Sequence, residues 1–183
     1  EIGLQYLACH FGRRVHIVVR PLVPRWLDRW VNHARTRFGN HLIPKRRAFP
    51  KMLKAIRSDG IVAIMVDLSS RKQSVAVDYF GHRTLTSPAA AMLAARCAAP
   101  ILAAFTLRNP DGSFTIEVSP PVAIQRSSDL ASDLRCNTQR IADIVEKAVR
   151  EHPDQYLWMQ KRWKDYYPNL YPGYRPRSLP LRE

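Results

Sequence analysis

The amino-acid sequence predicts an α/β fold in which a mostly parallel central sheet is flanked by helices. The β-branched run Val15–Val19 and the continuous apolar run Ile61–Val66 are typical of buried strands, and the second suits a parallel sheet. Apolar residues recur at helical spacing elsewhere, most clearly from Asp129 to Glu151. Strands and helices alternate along the chain, which favours a sheet whose strands are joined by helices.

The first half of the chain follows this alternation closely. Helices are predicted at Ile2–Phe11, Pro24–Phe38 and Phe49–Ser58. The β-branched run Val15–Val19 is a predicted strand that ends at Arg20-Pro21, because proline has no N–H to donate to a sheet. The run Ile61–Val66 suits a central parallel strand, and it delivers Asp67 at its carboxyl end.

The second half carries shorter signals. Strands are predicted at Val75–Phe80, Ile101–Leu107 and Phe114–Val118. Ser87-Pro88 suits the N-cap and first position of an Ala-rich helix that ends near Ala98. The segment Asn109–Gly112 between the last two strands has proline at its second position and glycine at its fourth, which predicts a tight turn.

At 183 residues the chain is long enough to bury one hydrophobic core, and we expect one domain over residues 1–167. Prolines recur from Pro168 onward and periodicity ends there, so residues 168–183 are expected to form a loose tail. No run approaches the roughly 18 consecutive apolar residues of a membrane-spanning helix. The first residue is Glu and not Met, which suggests that the sequence begins inside a longer protein.

The charge of the chain points to anionic partners. Its 29 Lys and Arg residues stand against 15 Asp and Glu residues, giving a formal net charge of +14. Self-repulsion of this size usually serves contact with anions. Phospholipid headgroups, phosphorylated sugars, an acidic carrier protein and nucleic acid all fit that description.

Three positions could carry anion binding or catalysis. Arg20 follows a predicted strand, where α/β sheets bind ligands, so it is either a phosphate clamp or an ordinary surface arginine. Asp67 either orients a charged group or forms a turn. The block Lys161–Lys164, which contains Arg162 and Trp163, suits either a bilayer interface or a solvated basic end whose two tryptophans, Trp158 and Trp163, pack on the core.

No histidine, serine or cysteine has the surroundings of a catalytic base or nucleophile. His10 has no acidic residue at a useful distance in the sequence, so we expect a structural role for it. Cys9, Cys97 and Cys136 share no metal-ligand spacing, and we expect reduced thiols and no metal site. The chemistry of the residues alone therefore leaves the function open.

Six short segments form an ordered series over about residues 1–165. They are Glu1–Leu4, Val18–Pro21, Arg35–Asn40, Met65–Asp67, Asp78–Gly81, and Gln155–Trp158 with Arg162 and Lys164. The first resembles the part that follows a His-x-x-x-x-Glu motif, with Glu1 as the acid, and the second resembles a Tyr-Arg-Pro element. As a series they resemble the bacterial lipid A biosynthesis acyltransferases, the lauroyl/myristoyl transferase family.

This resemblance implies a glycerolipid acyltransferase-like α/β fold without its N-terminal part, and an enzyme of lipopolysaccharide biosynthesis. A histidine paired with a carboxylate would deprotonate a hydroxyl of a lipid A precursor, whose oxygen attacks an acyl thioester on acyl carrier protein. No cofactor or metal is implied. The implied partners are the carrier protein, an anionic glycolipid and the cytoplasmic face of the inner membrane, and not nucleic acid.

The resemblance also implies roles for particular residues. Glu1 would hold the imidazole in its useful tautomer. Arg20 and Arg162 would bind phosphates or stabilise developing negative charge, and Asp67 would orient one of them. The implied catalytic residues are Glu1, Arg20 and Asp67, and the implied substrate-binding residues are Arg20, Arg162, Trp163 and Lys164.

Two departures from the family pattern qualify these roles. The motif's histidine would lie five positions before Glu1, so the chain as given is expected to be inactive. Leu68 stands where the family has glutamine. The alternatives are a basic nucleic-acid-binding domain, an acyltransferase that acts on another glycolipid or a lysolipid, and a catalytically inactive lipid-binding homologue.

Overall fold

A computed structural model describes residues 2–10, 12, 14–70 and 73–174. The helices are α1 (Ile2–His10), α2 (Arg25–Thr36), α3 (Ala48–Arg57), α4 (Ala89–Cys97) and α5 (Leu130–Glu151). The strands are β1 (Val15–Val19), β2 (His41–Pro44), β3 (Ile61–Ala63), β4 (Val75–Tyr79), β5 (His82–Thr86), β6 (Ala104–Arg108) and β7 (Phe114–Val118). Short 3-10 helices lie at Pro153–Gln155 and Pro168–Leu170.

The chain divides into two compact units. The first consists of Glu1–Met65, Leu93–Pro100 and Ala104–Val118. The second consists of Val66–Met92, Ile101–Ala103 and Ser119–Glu183.

A three-stranded parallel sheet organises the first unit, with β1 between β2 and β3. His16 of β1 lies opposite His41 on one side and Val62 on the other. This parallel sheet and the helices around it confirm the predicted α/β class. Because the strands run in parallel, Arg20 after β1 and Lys45 after β2 lie at the same edge of the sheet.

The predicted central strand at Ile61–Val66 is wrong in extent and in position. Only Ile61–Ala63 forms a ladder, and that ladder pairs with β1, which is the central strand. Val62 packs on the core, whereas Met65 is exposed. A run of apolar residues in the sequence indicates a buried segment, but it does not show where the hydrogen bonds between neighbouring strands end. Strand β2 was not predicted, because its four residues, which end in Pro44, show no clear alternation of apolar and polar side chains.

Helix α3 supplies the core on one face of this sheet. Ile43, Ala48, Met52 and Leu93 form a buried cluster, and burial of a side chain such as Met52 contributes about 1.5–3 kcal/mol. The helix ends at Arg57, one residue before the predicted end at Ser58. Asp59 takes a left-handed conformation with φ 58°, and the Gly60 N–H donates to the Ala55 carbonyl at 2.9 Å.

A β6–β7 hairpin completes the first unit. Its turn is the one predicted at Asn109–Gly112: the Asn109 N–H donates to the Ser113 carbonyl at 2.8 Å, and Gly112 has φ +85°. Strand β7 has the predicted bounds, whereas β6 begins at Ala104 and not at Ile101. The reason is that the Ile101 carbonyl accepts instead from the Val122 N–H at 2.8 Å.

The second unit is built from the β4–β5 hairpin and the long helix α5. Val77 and Tyr79 of β4 pack with Ala142 of α5 in a buried cluster, to which Trp163 also contributes. Strand β5 was not predicted, because it begins with the polar His82 and its buried residues come only later in the strand.

Helix α5 has the predicted bounds within one residue. Asp129 is its N-cap, and the carboxylate accepts from the N–H groups of Ala131 and Ser132, each at 3.0 Å. One turn later the buried Asp133 accepts from the Ser127 N–H at 2.6 Å. This bond ties the preceding loop to the helix.

The end of the chain is described as far as residue 174. Tyr174 donates its hydroxyl hydrogen to Asp165 at 3.0 Å. Residues 175–183, most of the predicted loose tail, lie outside the described residues, and the single domain over residues 1–167 stays a prediction. None of the helices in the described part of the chain is long and apolar enough to cross a bilayer.

Candidate functional site

A buried arginine lies at the centre of the second unit. Arg162 is 2% exposed, and its guanidinium donates to Thr86 Oγ1 at 2.7 Å through Nη2. Nη1 donates to the Leu85 carbonyl at 3.4 Å. The Arg162 carbonyl accepts from Thr84 Oγ1 at 2.6 Å. Strand β5 therefore fixes both the backbone and the head of this residue.

Two phenols surround the guanidinium. Arg162 Cζ lies 5.2 Å from the centre of the Tyr79 ring, a cation–π contact. Burial raises the pKa of Tyr79 and of Tyr156. The two hydroxyls are close enough to influence each other, yet neither forms a hydrogen bond of normal distance and angle within the described residues. Arg162 Nε likewise has no such partner there.

Asp67 and Arg162 line the same small cavity, of about 10 Å³. A cavity of this size holds about one water molecule and no acyl chain. The remaining lining residues are Val66, Tyr79, Thr86, Ile141, Ala142 and Val145. The structure thus brings together two of the predicted site residues, and adds Tyr79 and Thr86 to them.

The electrostatics of this cluster follow from burial. Burial lowers the pKa of the Arg162 guanidinium, while the phenols of Tyr156 and Tyr79 and the Asp67 carboxylate raise it by smaller amounts. A partly desolvated cation beside polar groups that lack partners attracts an electron-rich oxygen. One water molecule, or one oxygen of a bound anion, has the size for that position.

Trp163 and Lys164 follow Arg162 but face different surroundings. The Trp163 indole N–H donates to the Tyr79 carbonyl at 3.1 Å, which fixes the ring in the core of the second unit. Lys164 Nζ lies 5.7 Å from the centre of the Tyr174 ring. Of the two readings of this basic block, packing of the tryptophan on the core is the one that applies to Trp163.

A second cationic group lies in the first unit, at the carboxyl edge of the parallel sheet. Arg20 and Lys45 are both exposed there, and the Lys45 N–H donates to the Val19 carbonyl at 2.8 Å. Burial lowers the pKa of Lys45, and the nearby Arg20 guanidinium lowers it further. Among the residues that the structure describes, neither side chain forms an ion pair.

The predicted site residues are therefore distributed over both units. Arg20 belongs to the first unit, Asp67 and Arg162 belong to the second, and Glu1 lies outside the described residues. The sequence prediction missed Lys45 because strand β2 was missed, and Thr86 because β5 was missed. Tyr79 lay within a segment that resembled the family, and that was the available signal for it.

Comparison with known proteins covers nearly the whole chain. The family model described as bacterial lipid A biosynthesis acyltransferase matches residues 1–165. A lipid A biosynthesis lauroyltransferase of Escherichia coli is 26% identical over 194 aligned residues, covering 99% of this chain and 58% of that protein. A lipid A biosynthesis acyltransferase of Haemophilus influenzae is 27% identical over 174 residues, covering 89% of this chain and 54% of that protein.

This chain spans little more than half of the length of these relatives. The family model extends over the parallel sheet, the Arg20–Lys45 edge and the buried Arg162 cluster alike. The chain belongs to the bacterial lipid A biosynthesis acyltransferase family.

Proposed function

We propose that the protein that contains this chain transfers a fatty acyl group from an acyl carrier protein thioester to a hydroxyl of a lipid A precursor. The reaction is a step of lipopolysaccharide biosynthesis, and we place it at the cytoplasmic face of the inner membrane. The observation that carries this proposal is the family match over residues 1–165. The donor, the acceptor and the location are parts of the proposal.

In the proposed reaction, the acceptor oxygen attacks the thioester carbonyl carbon, the new ester C–O bond forms, and the C–S bond breaks to release the carrier's thiolate, which takes the acceptor's proton from the protonated base to become a thiol. The hydroxyl proton passes to an imidazole base, which a carboxylate holds in the useful tautomer. We assign that carboxylate to Glu1. Developing negative charge on the carbonyl oxygen requires a nearby cation or hydrogen-bond donor.

Arg20 and Lys45 are proposed to hold the anionic headgroup of the acceptor. Two cations held side by side at a sheet edge repel each other, and Lys45 already has a lowered pKa because of burial and of Arg20. A phosphate between them removes that repulsion and gains charge-assisted hydrogen bonds. The site thus favours an anionic ligand over an empty state.

Arg162 and Asp67 are proposed to act at the reacting end of the substrate, as the family resemblance implies. This assignment is supported by their common cavity and by Arg162 Nε, which has no hydrogen-bond partner among the described residues. A cavity of about 10 Å³ admits one oxygen atom. The proposed contact is therefore a single oxygen held by a cation that strand β5 keeps rigid.

We also propose that these 183 residues do not catalyse the transfer by themselves. No histidine in the sequence is followed five positions later by Asp or Glu. His10, the nearest candidate, has Val15 at that position. A carboxylate without its imidazole cannot supply the proposed base.

The experiment compares the 183-residue chain with the full reading frame that contains it. Each protein is incubated with radiolabelled acyl carrier protein thioester and a lipid A precursor, and products are separated by thin-layer chromatography. We expect labelled glycolipid from the full protein and none from the 183 residues. Parallel reactions replace the acceptor by a lysophospholipid and the donor by acyl-coenzyme A.

Each outcome decides one part of the proposal. Transfer by the 183 residues overturns their proposed inactivity. Transfer to the lysophospholipid alone overturns the glycolipid acceptor. Absence of transfer by the full protein to either acceptor overturns the enzyme assignment and favours a lipid-binding homologue. The nucleic-acid alternative requires tight binding of random duplex DNA with a steep salt dependence and no affinity for lipid.

A further inference from the structure

Helix α2 exposes large apolar side chains to solvent. Trp26 and Trp30 are one helical turn apart and are each 68% exposed. Val23, just before the helix, is 92% exposed, and Phe38, just after it, is also exposed. We call the exposed side chains of residues 23–38 the α2 surface. Soluble proteins seldom leave two neighbouring indole rings open to water without a partner for them.

Polar contacts fix the helix without covering this surface. The Leu22 N–H donates to the Asp28 carboxylate at 3.0 Å, beside the start of the helix. Near its end, Gln5 Nε2 donates to the carbonyls of Ala34 at 3.0 Å and Arg35 at 3.3 Å. No residue of α2 is fully buried. The helix therefore lies on the first unit with its tryptophans turned outward.

The α2 surface is also strongly basic. Arg25, Arg29 and Arg37 are exposed there, and Asp28, the one acid among residues 25–37, is partly buried. The Asp28 carboxylate already accepts a backbone hydrogen bond. Arg37 Cζ lies 5.8 Å from the centre of the Phe38 ring, so a cation and an aromatic ring occur together at the helix end. Positive charge and aromatic area thus occupy one element.

Helical spacing places these groups on the same side. Trp26, Trp30 and Arg37 are four and seven positions apart, so they share one face of α2, with Arg29 on its flank. Indole rings partition to the boundary between lipid headgroups and acyl chains, where the ring is buried and its N–H stays wet. Arginine beside them reaches the phosphates while its stem lies on apolar material.

We propose that the α2 surface docks onto the headgroup layer of an anionic bilayer, with Trp26 and Trp30 inserted and the arginines on lipid phosphates. This docking is independent of the proposed reaction, because it is argued from the exposure and the charge of side chains in the first unit. It adds a contact surface to the proposed enzyme. A second copy of the chain is disfavoured because it would bring like charges together. Duplex nucleic acid would use the arginines but would leave Val23 and the two indoles in water.

Vesicle flotation tests the proposal with the 183-residue chain. The vesicles contain phosphatidylcholine alone or phosphatidylcholine with phosphatidylglycerol, and neither an acyl donor nor a lipid A-type acceptor. Failure of docking is thereby separate from failure of the proposed reaction. The variant Trp26→Ser with Trp30→Ser is compared with Leu130→Ser with Met159→Ser, which removes two exposed apolar side chains of the second unit.

We expect the wild-type chain to float with anionic vesicles. The Trp26→Ser, Trp30→Ser variant should bind at least about tenfold more weakly, and the Leu130→Ser, Met159→Ser control should bind as the wild type does. Removing charge by Arg25→Gln with Arg29→Gln should weaken binding to anionic vesicles about 30-fold. The control Arg83→Gln with Arg135→Gln removes the same charge from exposed positions of the second unit.

A second measurement covers the case in which the serine variant does not fold. Brominated lipids should quench the tryptophan fluorescence of the wild-type chain, and Trp26→Phe with Trp30→Phe should retain binding but lose most of that quenching. Equal binding of the two double-serine variants, or unchanged quenching in the phenylalanine variant, overturns the proposal. So does a dimer that Trp26→Ser abolishes while vesicle binding is absent.

Discussion

Arg162 and Thr86 are joined by a hydrogen bond of 2.7 Å from Nη2 to Oγ1, in an interior where Arg162 is 2% exposed. The same arginine accepts a second bond on its carbonyl, from Thr84 Oγ1. A residue near the end of the family match is therefore held by strand β5 at two points. The stability of the second unit therefore depends on a basic residue that the family resemblance assigns to substrate binding.

Replacement of Arg162 should destabilise the second unit. Arg162→Ala leaves Thr86 Oγ1 without its donor, while the Leu85 carbonyl keeps the Ser70 N–H, and we expect a loss of about 1–3 kcal/mol in the free energy of unfolding. Arg162→Lys should be intermediate, since an ammonium cannot reproduce the guanidinium's fork. Urea unfolding measures both. Arg135→Ala, at an exposed position of α5, should change stability by less than about 0.5 kcal/mol. Equal effects at positions 162 and 135 would contradict the buried role.

Removal of the Tyr79 hydroxyl and removal of the Thr86 hydroxyl should have opposite effects on the free energy of unfolding. Thr86 Oγ1 accepts from Arg162, so Thr86→Val should cost about 1–3 kcal/mol. Tyr79 is 1% exposed, yet its hydroxyl has no partner within the described residues, so Tyr79→Phe should be neutral or stabilising. Urea midpoints of the two variants decide this. A strongly destabilised Tyr79→Phe would mean that the hydroxyl binds the Tyr156 hydroxyl, a water molecule or a ligand in the cavity.

Loss of Arg20 should affect ligand binding and stability in different directions. Arg20→Gln removes a cation that lowers the pKa of Lys45, so that pKa should rise, as NMR titration of the lysine can measure. Stability should be unchanged or slightly higher because repulsion is relieved. Affinity for a phosphate monoester such as glucose 1-phosphate should fall by about tenfold or more. The matched control is Arg135→Gln. Lower stability without a change in affinity would assign Arg20 a structural role instead.

Acid should weaken the second unit through Asp133. Hydrogen bonds from Ser127, first from its N–H, hold the pKa of Asp133 below its ordinary value of 3.8. A depressed folded pKa gives stability that is present above the ordinary value and is lost as pH falls through the folded value. The difference in urea midpoint between wild type and Asp133→Asn should therefore be largest near neutral pH and shrink below about pH 4. Glu117→Gln, at an exposed position of β7, serves as the control. A difference independent of pH would exclude this carboxylate as the cause.

Local signals were sufficient for much of the fold. Strands β1 and β7 and helix α5 follow from side chains within each segment, namely β-branched runs and one apolar stripe capped by Asp129. Strands β2 and β5 could not be found in that way. Each is short, begins with histidine, and exists because a partner strand supplies its hydrogen bonds. Pairing between segments is a tertiary effect that a local period does not encode.

The candidate site was predicted less well, for a related reason. The family resemblance pointed to Arg162 and Asp67, which line one cavity, but it gave no information about the residues around them. Thr86 is 76 residues from Arg162, and Tyr79 is 84 residues from Trp163, whose indole bonds to its carbonyl. Burial of a cation depends on such distant partners. Composition indicated a basic end of the chain and could not indicate which of its cations is enclosed.

The tie between Arg162 and strand β5 has a consequence for biosynthesis of the protein. The β4–β5 hairpin leaves the ribosome well before residue 162. Thr84 and Thr86 therefore lack their hydrogen bonds to Arg162 while the intervening residues are translated. In a nascent chain or a prematurely terminated product that ends before position 162, these two threonines have no Arg162 to bond to. Quality-control proteases should therefore distinguish such products from the completed protein by this unit.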